Sequence, residues 1–502
     1  MLAMVPSATV LGVDGRPVTV EVHVSPGLPS FTIVGLPDAA CRESRDRVRA
    51  AVLSSGLGWP HRRVTVNLAP TGVRKGGSGL DLPIAVGLLA ATGELEATSL
   101  AGTAFLGELG LDGALRPVPG VVSMASAVTT GVIVVPTASA LEAAMAGRRV
   151  RSAATLSQLV ACLRGLEPWP SPPPAAPPRR PEGSMADLAD VRGQPVGRTA
   201  VEVAAAGGHP LLLVGPPGSG KTMLATRLPG LLPPMPGDVA LEATKVHSAA
   251  GLLGAEASLL GRPPFRAPHH GTSSVALVGG GTAWMRPGEI SLAHGGVLFL
   301  DELGEFPASV LDALRQPLEE GCVRVARARG SVVLPARFLL VAATNPCPCG
   351  GPTTGPGCRC TPAAQARYRR RLSGPLLDRF DLRVLVSRPD PAGLLSPPAG
   401  EATATVAERV AEARARARAR GVATNAELPA SRLEEVAPLG RASRALLEDK
   451  LARGTLSGRG LHRVRRVART LADLEGSGAV ADAHVCLALG LRAELELAEV
   501  VA

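Results

Sequence analysis

Residues 211–225 read LLLVGPPGSGKTMLA, and no other stretch limits the fold of this 502-residue chain so tightly. An apolar run enters a glycine-proline loop, and the loop ends in Lys221-Thr222 ahead of a helix-like MLATRL. Such a segment needs a buried strand to deliver the loop and a helix to receive it, which means an α/β region with a parallel sheet. Gly215, Pro216, Pro217, Gly218, Ser219, Gly220, Lys221 and Thr222 match G-x-x-x-x-G-K-[ST]. Glycine lets successive backbone N–H groups face phosphates with no Cβ in the way. Lys221 brings a compact positive charge to the β- and γ-phosphates, and the Thr222 hydroxyl suits Mg²⁺. The expected cofactors are ATP and Mg²⁺.

A second apolar strand, VLFLDE (297–302), delivers Asp301 and Glu302 to the carboxyl edge of such a sheet, where ligands bind. Asp301 is expected to hold Mg²⁺ through water, and Glu302 to polarise the attacking water as a general base. The strand RFLLVAATN (337–345) brings Asn345 beside that edge, suited to orienting the γ-phosphate or the lytic water. In LLDRFDL (376–382), Arg379 is either part of a structural salt bridge or a finger reaching a neighbouring subunit's nucleotide. SGRG puts Arg459 at a helix start, as a second γ-phosphate sensor.

Proline divides the chain. PWPSPPPAAPPRRP (168–181) forms neither helix nor central strand, so 167–184 reads as a stiff linker. It separates an N-terminal α/β or α+β domain, 1–166, from an ATPase core, 185–400, and a helical part, 401–502. In the first of these, VTVEVHV, FTIVGL, RRVTVNL and VIVVP read as strands, and 41–56 and 82–93 as helices. The arginines at 414, 416, 418 and 420 fall as i,i+4 pairs on a helix and read as a solvated face.

The net charge of +10 favours an anionic partner such as nucleic acid. EEGCVRVARARGSVVLPARF (319–338) reads as a hairpin with Arg324, Arg327 and Arg329 near its turn, able to track phosphates unless it is simply an exposed basic hairpin. Four of the eight cysteines, Cys347, Cys349, Cys358 and Cys360, form C-x-C, eight residues, C-x-C; four thiolates on such a loop suit a closed structural Zn²⁺ site, or stay reduced and metal-free. His269 and His270 in the APHH stretch suggest a metal site, but with no acidic or thiol partner nearby they read instead as loop packing or as part of the inserted element. No basic leader precedes an apolar segment and no run of about 18 apolar residues is present, so no membrane span and a cytoplasmic protein are expected.

In this order the P-loop, LFLDE, ATN, LLDRFD and SGRG resemble the helix-2-insert AAA+ ATPases. With PFRAPHHGTSSVALVGGGTAWMRPGEISLAHGGVLFLDELGEF (264–306) the chain resembles the Mg-chelatase-like YifB/ComM proteins along nearly its whole length. The resemblance implies a P-loop AAA+ module with a C-terminal helical lid, preceded by an S5/Lon-protease-like α/β domain. It implies a homo-oligomeric ring, a hexamer, in which Arg379 acts in trans, and a helicase or branch-migration activity on single-stranded or branched DNA in recombination. VRKGGSGLDLPIAVGLLAATG (73–93) resembles a Lon-like domain, yet no lysine lies between Lys75 and Lys221 to activate a serine, so this domain is expected to be non-proteolytic. The alternatives are a magnesium-chelatase ATPase subunit, a family expected to lack the N-terminal domain and the cysteine loop, and a protease-like regulator.

Overall fold

The computed structural model describes residues 1–72, 75–171, 186–254, 258–281, 285–327, 330–350, 358, 360–372, 374–389 and 400–493. Most of the linker expected at 167–184, and Arg329, lie outside them.

The N-terminal residues build a hairpin that the sequence pattern does not divide into strands before Val18. Strand β1 (Leu2–Leu11) pairs antiparallel with β2 (Asp14–Ser25), from Leu2↔His23 to Leu11↔Asp14. The sequence hides β1 because its inward positions include Ser7 and Thr9, whose hydroxyls are buried and donate to the Phe105 and Gly76 carbonyls. The sheet continues through β4 (Arg63–Ala69) to β3 (Ser30–Val34), in the order β1-β2-β4-β3. The helix Asp81–Thr92 lies buried on it, and Gly87 sets the approach: a Cβ there would stand 2.7 Å from a Val22 methyl. Beside it β5 (Thr103–Phe105), β8 (Val132–Pro136) and β9 (Arg149–Ala153) form a parallel sheet, and β6 (Glu108–Leu109) and β7 (Leu115–Arg116) a short ribbon.

The region around the glycine loop holds a five-stranded sheet in the order β11-β14-β17-β10-β18: Phe265–Arg266, Val297–Leu300, Leu339–Thr344, Leu211–Val214 and Leu382–Leu385. Every neighbouring pair is parallel. The runs LLLV, VLFL and LLVAAT are buried along their whole length, as a sheet covered on both faces requires. Two antiparallel ribbons stand apart from it, β12 (Gly279–Gly280) with β13 (Arg286–Pro287), and β15 (Cys322–Arg327) with β16 (Gly330–Pro335). The second ribbon is the expected hairpin. It rests on the N-terminal hairpin: a Cβ on Gly12 (φ +66°) would lie 3.2 Å from side chains of both Val332 and Leu334. A further tie is the Gly120 N–H donating to the Ser248 carbonyl at 2.9 Å.

After residue 400 the described chain is helical, with helices Thr403–Ala419, Arg441–Ala452, Gly458–Leu474 and Asp482–Gly490. For three of the four arginines there the structure corrects the solvated-face reading, while Arg418 is exposed as that reading expects. Arg414 donates to the Ala205 carbonyl, Arg416 to the Asp473 carbonyl, and Arg420 to the Asp473 and Asn425 side chains. Only tertiary packing brings those acceptors within reach of the fork-shaped guanidinium.

A buried polar network joins this helical part to the sheet. Asp381, 4% exposed, sits just ahead of β18; it accepts from His209 at 2.8 Å and from Arg463, and His209 also reaches Thr470 at 2.7 Å. Asn425 bridges Thr470 and Asp473, and Asp473 pairs with Arg420 and Arg469. Burial opposes ionisation of Asp381, but the His209 hydrogen bond and charge and the Arg463 guanidinium prevail and hold its pKa below the ordinary value. Its contribution to stability is therefore complete above the unfolded aspartate pKa of about 3.9 and is lost as pH falls through the lower folded value. Asp381→Ala leaves the buried His209 and the partly exposed Arg463 without their carboxylate, and the expected cost is about 3 kcal/mol. The shift of the denaturant midpoint at neutral pH measures it, and a shift below about 1 kcal/mol would place the network outside the stabilising core.

Candidate nucleotide site

The loop 215–220 leaves β10 at its carboxyl end and enters the helix Lys221–Leu231. Gly218 (φ +76°) and Gly220 (φ +88°) occupy the left-handed region. At Gly215 the constraint is space: a Cβ would stand 2.1 Å from the Val386 carbonyl oxygen. Lys221 is 8% exposed, and its Nζ donates to Gly215 O at 2.7 Å, Pro216 O at 2.9 Å and Asn345 Oδ1 at 3.1 Å. Burial lowers its pKa, against the pull of Asp301 and Glu302. Pro217 O accepts from Arg388, and Gln194, which no sequence signal marks, ties Ser219 O to Ser387 O.

Register places the other groups at the same edge. Val214 pairs with Thr344 and Leu300 with Ala342, so the ends of β10, β14 and β17 stand together. Thr222 donates to Asp301 Oδ2 at 2.7 Å, the hydroxyl-carboxylate pair that a hydrated Mg²⁺ needs. The residues fit a nucleotide triphosphate. The Cβ-free cradle is present, and the Ser219 hydroxyl is buried with no hydrogen-bond partner among the described residues.

Glu302 follows with φ +53°, and its Oε2 lies 3.2 Å from His270 Nδ1. This corrects the expectation that His270 has no acidic partner nearby. Its acidic partner comes from the neighbouring strand, because β11 and β14 are adjacent and parallel and their carboxyl ends meet. The His269 ring lies tilted against the His270 ring, with centroids 4.0 Å apart.

Arg379 and Lys221 do not meet within the chain. Arg379 precedes β18, whose Leu382 pairs with Leu211, whereas Lys221 lies beyond the far end of β10. A four-residue strand separates the two edges by roughly 13 Å. Arg379 is 14% exposed in its side chain, pairs with Glu319 at 2.5 Å, and has its carbonyl held by Arg463 at 2.9 Å. Arg459 is exposed in the first turn of Gly458–Leu474, a helix capped by Ser457. Arg324 is exposed beside Glu320 on β15; Arg327 ends that strand, and its side chain is outside the described residues.

The four cysteines converge as the spacing suggests, with all four sulfurs within 4.8 Å of one another. Cys347 and Cys358 are 3.4 Å apart, Cys349 and Cys347 3.7 Å, and Cys349 and Cys358 3.8 Å. A tetrahedral ion with Zn–S bonds of about 2.3 Å sets its sulfurs about 3.8 Å apart, so the cluster fits Zn²⁺. In the N-terminal region Ser78 and Lys75, close in sequence, take separate partners. Ser78 donates to Glu108, while the Lys75 amine, its pKa lowered by burial, donates to Pro70 O.

Known proteins match along the whole chain. A family model described as magnesium chelatase, subunit ChlI, matches residues 187–393, and its C-terminal counterpart matches 400–492. A model described as subunit ChlI of Mg-chelatase matches 20–139, so the N-terminal region does not by itself set the chain apart from chelatase subunits. An uncharacterized protein of Mycobacterium tuberculosis is 48% identical over 494 residues, 97% of each chain. YifB of Escherichia coli is 44% identical over 98% of this chain and 97% of its own. The competence protein ComM of Haemophilus influenzae is 43% identical over 99% of this chain and 98% of its own.

Two substitutions probe this geometry. Lys221→Ala removes a charge-assisted contact worth about 1.5–3 kcal/mol, so nucleotide affinity should fall roughly ten- to a hundredfold in a fluorescent-ATP titration. His270→Ala should lower ATP turnover about tenfold by releasing Glu302, with affinity kept within about twofold. Unchanged turnover would make the His270–Glu302 contact incidental.

Proposed function

Because the chain belongs to the YifB/ComM family of Mg-chelatase-like proteins, we propose that it is a cytoplasmic AAA+ ATPase that forms a ring, a hexamer, and works as a DNA motor. The observation that carries the reading is the separation of Arg379 from Lys221 to opposite edges of one sheet. Lys221, Thr222, Asp301, Glu302 and Asn345 bind and hydrolyse ATP at one edge. Arg379, at the other, serves the site of the next subunit, so the hydrolysis site is complete only in an assembly. Arg459, carried on the helical lid, senses the γ-phosphate.

When bound, Mg²⁺ screens the phosphate charge, and Thr222 and Asp301 are the residues that hold it. Glu302 takes the proton of the attacking water, His270 orients that carboxylate, and Asn345 aligns the water or the γ-phosphate. Zn²⁺ on Cys347, Cys349, Cys358 and Cys360 serves structure. The hairpin β15–β16, with Arg324, Arg327 and Arg329 at or near its turn, contacts the phosphates of single-stranded or branched DNA. The S5/Lon-like N-terminal domain is a non-proteolytic base for that hairpin, an assignment supported by the Gly12 contact and by the separate partners of Ser78 and Lys75. The likeness to the competence protein of Haemophilus influenzae favours a role in recombination or DNA uptake.

The chelatase descriptions of the matching family models support a second reading, an ATPase subunit that drives metal insertion together with partner proteins. DNA separates the two. ATP turnover by the purified ring should rise several-fold with single-stranded or branched DNA; indifference to single-stranded, duplex and branched DNA alike would sink the motor reading. Glu302→Gln should still bind ATP while turnover falls on the order of a hundredfold or more.

A further inference from the structure

One helix links the cysteine cluster to both catalytic strands. The helix Pro362–Arg371 starts two residues after Cys360, and Gln365 near its start donates to Cys358 Sγ at 3.1 Å. Midway along it, the Tyr368 hydroxyl donates to Asn345 O at 3.0 Å and lies 2.8 Å from Thr344 Oγ1. At its end Arg371 donates to Gly304 O at 3.0 Å and pairs with Glu305. Gly304 lies flat against the helix: a Cβ there would stand 2.2 Å from the Tyr368 ring. The backbone leaving Asn345 and the turn following Glu302 are thus fastened to a single rod, whose first turn is fastened to the thiols. The cluster also reaches the phosphate loop, since a Cβ on Gly350 would lie 2.6 Å from Pro217 Cγ.

We propose that metal loading of Cys347, Cys349, Cys358 and Cys360 controls hydrolysis, because the loaded knuckle fixes the helix Pro362–Arg371 and the helix in turn fixes Asn345 and the turn behind Glu302. The inference rests on the ATPase reading of the site and goes beyond a structural zinc. The loop 215–220 has holds of its own in β10 and Gln194, and Lys221 bonds two loop carbonyls besides Asn345, so only part of its support runs through the helix and the cluster. Metal loss therefore acts on turnover more than on nucleotide binding. Tyr368 is a positioning residue in this scheme, acting on the strand end through its hydroxyl.

The test uses full-length protein without DNA. Elemental analysis should find one zinc per chain, and Co²⁺ exchanged into the site should give the visible absorption of a tetrahedral thiolate centre. Removing the metal, or Cys358→Ser with Cys360→Ser, should lower kcat about tenfold or more and move the fluorescent-ATP Kd less than about threefold; Zn²⁺ should restore the chelated wild type. Tyr368→Phe should keep its zinc and lose part of kcat with ATP Kd unchanged, a pattern that general misfolding does not give. Zinc-free protein with full turnover overturns the proposal, as does zinc removal that leaves kcat intact. Failure of the ATPase reading looks different: zinc and the Co²⁺ spectrum present, with no turnover in loaded wild type.

Discussion

Parallel pairing in step across β14, β17, β10 and β18 is the constraint on which the nucleotide site depends. Because the strands run the same way and end within two residues of one another, every strand delivers its next residues to one edge. Lys221, Asp301, Glu302 and Asn345 are far apart in sequence but share that edge through strand ends alone. The same pairing sends Arg379 and Asp381 to the opposite edge, ahead of β18. A sheet of this kind sorts residues by whether they follow or precede a strand, and that sorting makes a second subunit necessary to the proposed chemistry.

The two edges are braced differently. On the nucleotide side the restraints are short and polar: Lys221 on loop carbonyls, Thr222 on Asp301, His270 on Glu302, Tyr368 on the strand end. On the opposite side Asp381 gathers His209 and Arg463 in a buried cluster, and Arg463 also holds the Arg379 carbonyl. Arg459 and Arg463 lie on the same helix, so the proposed sensor and the support of the proposed finger move as one rigid unit. The N-terminal hairpin adds a third brace at the base of β15–β16, through Gly12 and Val13.

Much of the site was legible in sequence because its chemistry is written in consecutive residues. GPPGSGKT, LFLDE and ATN each carry strand, turn and functional group within a few positions, and the cysteine spacing carried the knuckle. Pairs made between strands were not legible. No acid lies close to His270 in sequence, and its acid arrives from the end of an adjacent strand. Tyr368 and Gln194 carry no motif, since their roles lie in backbone carbonyls supplied by other elements. Arg414 and Arg416 looked solvated for the same reason: their acceptors belong to neighbouring helices.

The sequence alone determined the phosphate loop, the acidic strand end, the α/β class of both halves and the convergence of four thiols, because local pattern and residue chemistry suffice for these. Tertiary structure alone decided which edge each group occupies, that Arg379 stands away from its own lysine, and that one helix ties the thiols to Asn345 and Gly304. Those are matters of register and packing between distant segments, and no single segment contains them.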